Sequence, residues 1–159
     1  MVAPPHTSQP SFLQQKKPVQ FWASWLDANT ADEAINRFRP TPGVPTELFI
    51  TANDHSGGVR LSPLLPGRTD AMPSIEEQNV ERLRFAAEAM QMDLSARIIH
   101  YYVLGTGRYL GTLQWPPTGV QNTKFMLGLE DSLVRTAPQQ AGIDTLRVDL
   151  QASTGKRNR

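Results

Sequence analysis

The chain has 159 residues, 39% of them hydrophobic, with 16 basic against 15 acidic side chains for a formal net charge of +1, and it contains no cysteine. That length suits one ordinary domain with its own core, the dispersed charge is no footprint for nucleic acid or an anionic membrane, and the missing thiols exclude disulfides, thiolate catalysis and cysteine-based zinc sites. No stretch approaches the ~20 apolar residues that span a bilayer, and the N-terminus lacks the charged-then-apolar secretory pattern, so the chain reads as soluble.

Met1 to Pro18 sets Pro4, Pro5, Pro10 and Pro18 among Ser, Thr, Gln and Lys, a composition that favours an extended, weakly packed segment. Phe21 to Leu26 is too short to read by period, and Asp27 to Arg39 has room for a single helical turn before Pro40 and Pro42 stop it. Val44 to Ala52 predicts a strand, with Leu48 and Ile50 on one face and Phe49 on the other. The polar cluster from Asn53 to Gly58 is a turn, and Val59 to Ser62 is its returning strand. After an irregular Pro- and Gly-rich connection, Ser74 and Glu77 form a capping-box pair, and Val80, Leu83, Ala87 and Met90 recur at helical spacing. The spacing predicts a helix of about 16 residues, roughly 24 Å long, with Leu83 buried against a sheet.

Ser95 to Pro117 is the most informative stretch. Ile98, His100 and Tyr102 alternate with Ile99, Tyr101 and Val103 ahead of Gly105, Thr106 and Gly107, while Tyr109, Leu113 and Trp115 share a face beyond them. This is the pattern of a β-hairpin. Lys124 to Leu129 and Thr145 to Gln151 complete the expected strands. The outline is a hinge over 1–18, a single β-rich domain over 19–151 and a flexible basic tail over 152–159, in which Lys156, Arg157 and Arg159 read as a solvated end. The expected fold class is mainly β (α+β): an antiparallel sheet or barrel-like domain with one packed amphipathic helix.

Chemistry is harder to find. Asp54, His55 and Ser56 contain the residue types of a hydrolase triad, but neighbours in an extended chain point in opposite directions, so a triad would need distant partners. His55 in a Gly-rich turn reads as an exposed residue and His100 as a hydrogen-bonded strand histidine. His6 is too far from either for a metal site. No nucleophile elbow, P-loop, dinucleotide fingerprint or two-His zinc helix is present. The expectation is no catalytic residue, no cofactor and no metal, and hence no enzyme.

Several ordered pieces carry a resemblance. VAPP (Val2 to Pro5) and QKKPV (Gln15 to Val19) are followed by AINRFRPTPGVPTELFITAN (Ala34 to Asn53), then by IEEQNVERLRFAAEAM and IIHYYVLGTGRYLGTLQWPPTG. In this order they resemble the protruding domain of calicivirus major capsid proteins. Only Pro63 to Pro73 occupies the place of that family's long outer subdomain, so the resemblance is to the inner subdomain alone. It implies a structural capsid protein that projects from the virion surface, passes through host cytoplasm during assembly, and serves dimer contacts and host attachment. Pro4 and Pro5 become hinge residues, and Leu83, Met90, Tyr102, Tyr109 and Trp115 become candidates for the core or the dimer contact. The implied partners are a second copy and other capsid subunits, with a host receptor or glycan left unassigned, and neither nucleic acid nor membrane insertion. The competing expectation is a non-viral β-rich protein-interaction module.

Overall fold

The computed structural model describes residues 14–61, 64, 67, 70–91, 96–130, 132–138, 141–143, 145 and 147–152. Pro4 and Pro5 of the expected hinge, and Lys156, Arg157 and Arg159 of the expected tail, lie outside the described residues. The chain forms two compact units, divided between Thr118 and Gly119.

The elements of the first unit are β1 (Val19–Ser24), α1 (Thr30–Phe38), β2 (Thr46–Thr51), α2 (Ile75–Met90), β3 (Arg97–Val103) and β4 (Arg108–Thr112). Its sheet has the order β1-β2-β3-β4, with β1, β2 and β3 parallel and β4 returning antiparallel along β3. The class is α+β, mainly β with one main helix, and the hairpin stands where the alternation puts it. The sheet is mixed, however, rather than antiparallel throughout. Parallel neighbours cannot be joined by a tight turn and need a crossover, which α1 and α2 supply. The short run at β1 and the underread helix at α1 conceal the first of these two crossovers in the sequence.

In place of the single helical turn expected there, α1 has nine residues. Ala31, Ala34, Ile35 and Phe38 fall at helical spacing on one face and are all buried, and Asp32 and Glu33 lie in the first turn where the helix dipole favours them. Its C-terminal end is held by Arg97, which donates to the Phe38 carbonyl at 2.6 Å and lies 3.6 Å over the Phe38 ring. The apolar face of α1 meets Ala23, Leu48, Ile50 and Ile99 to form the core, with Phe21, Trp25, Tyr101 and Trp115 packed around it. Each fully buried side chain of this size stabilises the fold by about 1.5–3 kcal/mol.

Helix α2 begins as its sequence indicates: the Ser74 hydroxyl accepts from the Glu77 amide, and the Glu77 carboxylate accepts from the Ser74 amide. It covers the opposite face of the sheet, but not with the apolar stripe. Leu83 is 71% exposed and Met90 85%, and Val80 is exposed too, which corrects the expectation that Leu83 is buried. The inward face is mainly polar instead, with Phe85 and Ala89 half-buried on it. Gln78 is buried, Arg84 pairs with Glu47 of β2 at 2.7 Å, and Arg82 sits 4.9 Å over the Trp22 ring. Beneath it Trp22, Phe49 and His100, in register on three strands, form a stacked ladder with ring centroids 4.3 and 4.7 Å apart. Polar inward residues suit this surface because Glu47 is a buried carboxylate that must be paired.

Of the remaining core candidates, Tyr102 is fully buried, and Tyr109 meets it edge-on at 5.5 Å while donating to the Met72 carbonyl at 2.7 Å. Trp115 packs partly buried between Trp25 and Tyr101.

The second unit contains β5 (Met126–Leu127) and β6 (Leu133–Val134), an antiparallel pair. The strand expected from Lys124 to Leu129 is thus cut to two residues, and the described residues of Thr145 to Gln151 form none. A Gly128 amide bond to the Ser132 carbonyl closes the β5–β6 turn, with Arg135 lying over the Phe125 ring.

Candidate active site

The site is built where β1 and β2 end. Both strands run the same way, so the loops that follow them emerge side by side at the carboxyl edge of the sheet, the usual place for a ligand site in parallel architecture. Asp27 lies in the loop after β1 and His55 in the loop after β2. The two are 28 residues apart in sequence, yet Nδ1 of His55 stands 3.0 and 3.1 Å from the two carboxylate oxygens of Asp27.

The Asp27 loop is tightly tied. The Thr30 hydroxyl donates to the Ser24 carbonyl and accepts from the Ser24 amide, and the Ser24 hydroxyl donates to the Asn53 carbonyl while accepting from the Leu26 amide. Ala28, next to Asp27, has φ of +45°. A non-glycine residue in this region is strained, at a cost of order 1–3 kcal/mol.

The His55 turn is equally defined. One Asp54 carboxylate oxygen accepts from the Gly58 and Val59 amides and the Ser56 hydroxyl, and Gly57 takes φ of +75°. Asp54 is therefore occupied by the backbone, and Ser56 by Asp54. The neighbours that complete a triad on paper, Asp54 and Ser56, are turn formers, and the working partner of His55 is remote.

The carboxylate at Nδ1 assigns the tautomer: Nδ1–H donates to Asp27, leaving Nε2 with its lone pair. The hydrogen bond and charge of Asp27 raise the His55 pKa above the ordinary value of 6.5. The ring is 82% exposed and the Asp27 side chain 21%, so the base faces outward and its acid inward. A cavity of about 110 Å³ beside them is lined by Trp22, Ser24, Asp54, Gln78 and Arg82 among others. No described serine hydrogen-bonds the imidazole, since the Ser24 and Ser56 hydroxyls are engaged elsewhere. His100 is no part of this site. It is stacked on Phe49, and burial pushes its pKa down, with Glu47 and Glu81 opposing. Among the described residues no group of three or more His, Asp or Glu side chains is placed to hold a metal ion.

The sequence reads His55 as an exposed turn residue whose triad partners would have to be distant, and it gives no role to Asp27, the distant residue that the structure brings to it. The signal for both is one pattern: an apolar run ending in Asp, a helix, and a second apolar run ending in His. It becomes legible once Phe21 to Leu26 is taken as a buried strand.

No protein-family model matches the chain, and no solved structure matches it. Two curated proteins, one from Mycobacterium bovis and one from Mycobacterium tuberculosis, are similar to it; each bears the name "putative serine esterase" and is 28% identical over 146 residues. The match covers 89% of this chain and 22% of each relative, so the chain spans about a fifth of the length of these proteins. This likeness overturns the capsid reading. A match to bacterial proteins over most of the chain outweighs five short fragments in a common order, and the virion location and capsid role fall with it. The expectation that the chain has no enzymatic role is overturned by the same finding.

Proposed function

We propose that this chain supplies the acid–base half of a serine hydrolase that cleaves carboxylic esters, with His55 as general base and Asp27 as the residue that orients it. One observation carries the reading: an Asp–His hydrogen bond at the carboxyl ends of adjacent parallel strands, with Asp preceding His in the chain. In α/β-hydrolases the triad runs serine, acid, histidine along the chain, and the last two members of that order are present here. The names of the mycobacterial relatives support the same chemistry. In this reading the nucleophile comes from polypeptide outside this sequence: no serine here stands in a Gly-x-Ser-x-Gly elbow, and the match covers 22% of each relative.

His55 Nε2 takes the proton of the serine hydroxyl as its oxygen attacks the ester carbonyl. Asp27 stabilises the imidazolium that forms. The tetrahedral intermediate then expels the alcohol, which receives that proton, and leaves an acyl-serine. Water attacks the acyl-serine with His55 again taking a proton, the serine leaves with it, and the carboxylic acid is released.

The test is p-nitrophenyl acetate hydrolysis by the protein purified from its natural source, with every polypeptide that co-purifies. Asp27→Asn leaves the geometry in place but favours the wrong tautomer, so kcat is expected to fall on the order of 10⁴-fold. His55→Ala is expected to do the same, and both are expected to reduce labelling by a fluorophosphonate. Full hydrolysis in both variants would overturn the reading.

A second reading, the non-viral interaction module, draws on the exposed Val80, Leu83 and Met90 along α2. A chain that pulls down no other polypeptide from its natural source, and hydrolyses esters alone, would dismiss it.

A further inference from the structure

We infer that Asn53 and Gln78 are positioning residues for His55, acting as a pair of buried amides that clamp the histidine turn to the entrance of α2. The inference rests on the hydrolase reading for its consequence, but its geometry stands apart from it. The two side chains are 1% and 3% exposed. They come from different places, the loop just after β2 and the first turn of α2, and donate to the same two carbonyls. Asn53 Nδ2 lies 3.2 Å from the Gly57 oxygen and 3.4 Å from the Pro73 oxygen, and Gln78 Nε2 is 2.9 Å from each. Their own oxygens are occupied as well. Asn53 Oδ1 accepts from the Met72 amide, and Gln78 Oε1 accepts from Arg82.

Gly57 is two positions beyond His55, so the clamp grips the turn directly behind the imidazole. Its necessity follows from exposure. The His55 ring is 82% exposed, and an exposed pair such as His55–Asp27 holds its own geometry weakly. The aim of Nε2 is therefore set by the backbone of the turn. Asp54 shapes that turn internally, and the two amides tie its Gly57 carbonyl to the Pro73 carbonyl at the entrance of α2. Oxygen cannot substitute for nitrogen here, because a carboxylate in either place sets charge against two carbonyls. Gly57 is also required: its φ is +75°, and a Cβ there would meet Gln78 Oε1 at 3.0 Å.

The experiment is an NMR titration of the His55 ring in the full chain, alongside kcat in the source-purified protein. The charged groups around the ring are Asp27 from the β1 loop, Asp54 on its own turn and Arg82 of α2. Gln78→Met and Asn53→Ser, which remove the amide donors without adding charge, are expected to move the titration midpoint from its raised value towards the 6.5 of a free imidazole, with unfolding still cooperative. In the active protein kcat is expected to fall about 10²-fold with KM unchanged, the scale of a misplaced catalytic group. Asp27→Asn marks the midpoint of a fully uncoupled ring. An unchanged midpoint and kcat in both variants would overturn the inference while leaving the hydrolase reading intact. Absence of hydrolysis with the midpoint still displaced would do the reverse. Should either variant fail to fold, backbone order parameters of Asp54 to Gly58 in the unsubstituted chain decide. Values near 0.85 support the clamp, and values below about 0.6 overturn it.

Discussion

Helices α1 and α2 lie on opposite faces of one sheet and are held there by different forces. α1 buries Ala31, Ala34, Ile35 and Phe38 and is an apolar anchor. α2 is longer and has the clearer start signal, yet it turns Gln78, Arg82 and Arg84 towards the sheet and leaves Val80, Leu83 and Met90 outside. An apolar stripe at helical spacing shows that a helix has two unlike faces, but not which one the chain itself covers. The polar side of α2 is also the side that reaches the His55 turn, through Gln78. The helix that contributes less to the core is the one that shapes the site.

The contrast is broken most severely at Phe38. Phe38→Ala removes a fully buried ring from under α1 and is expected to cost about 3–5 kcal/mol. Denaturant titration reads the loss, and a value under ~1 kcal/mol would mean that α1 is no anchor.

On the other face the largest effect is expected at Arg84, which contacts Glu47, Glu81 and Glu88 within 2.6–2.8 Å. Burial pulls the Arg84 pKa down, but its three carboxylate partners outweigh it and hold it above the ordinary value. Arg84→Ala removes the cationic partner of the Glu47 carboxylate, whose side chain is 6% exposed, and leaves it the Gln20 amide at 3.3 Å, while Arg84 itself is 36% exposed. Screening at the open end reduces the cost of a broken buried pair to about 1–3 kcal/mol. Adding Glu47→Gln is expected to restore part of it, and strictly additive losses would deny the coupling.

Acidity separates the histidines with opposite signs. The folded pKa of His55 is raised, so the Asp27 contact stabilises fully below the unfolded value of 6.5 and fades as pH climbs through the folded value. The folded pKa of His100 is lowered, so its burial costs stability as pH drops below 6.5. Asp27→Asn is accordingly expected to destabilise more at about pH 5 than at about pH 9, and His100→Phe to flatten the acid limb of the melting profile. In the proposed hydrolysis the sign follows the base: activity is expected to rise with pH through a midpoint above 6.5, and Asp27→Asn to lower that midpoint along with the rate.

The smallest effect sharpens the comparison most. Leu83 is exposed, so Leu83→Ala is expected to change the stability of the chain by less than ~0.5 kcal/mol. A loss of 2 kcal/mol or more would show that the outer face of α2 is covered in solution.

Much of the fold was legible where its cause is local. The hairpin follows from alternation around Gly105 and Gly107, whose φ of +81° and +69° close the turn, and the β2 strand follows from its apolar run. β1 and α1 were not, because a six-residue strand carries too few periods and its partner lies in β2. Missing them hid the parallel crossover, and with it the reason that Asp27 and His55 meet. The calicivirus resemblance arose from the same cause, since Pro, Gly and strand segments in a given order recur on unrelated folds.

By itself the sequence determined what neighbours settle within a few residues. The start of α2 is the clearest case, because Ser74 and Glu77 need only each other's backbone amides. The Asp54-centred turn that presents His55 is another. Tertiary structure decided everything that depends on which surface is covered or which distant group arrives: the mainly polar inner face of α2, the amide clamp from Asn53 and Gln78, and the arrival of Asp27 as the partner of His55. The physical reason is that hydrogen bonds between close neighbours form wherever the chain goes, whereas a contact 28 residues away exists only once two parallel strands have been brought into register and their loops emerge together.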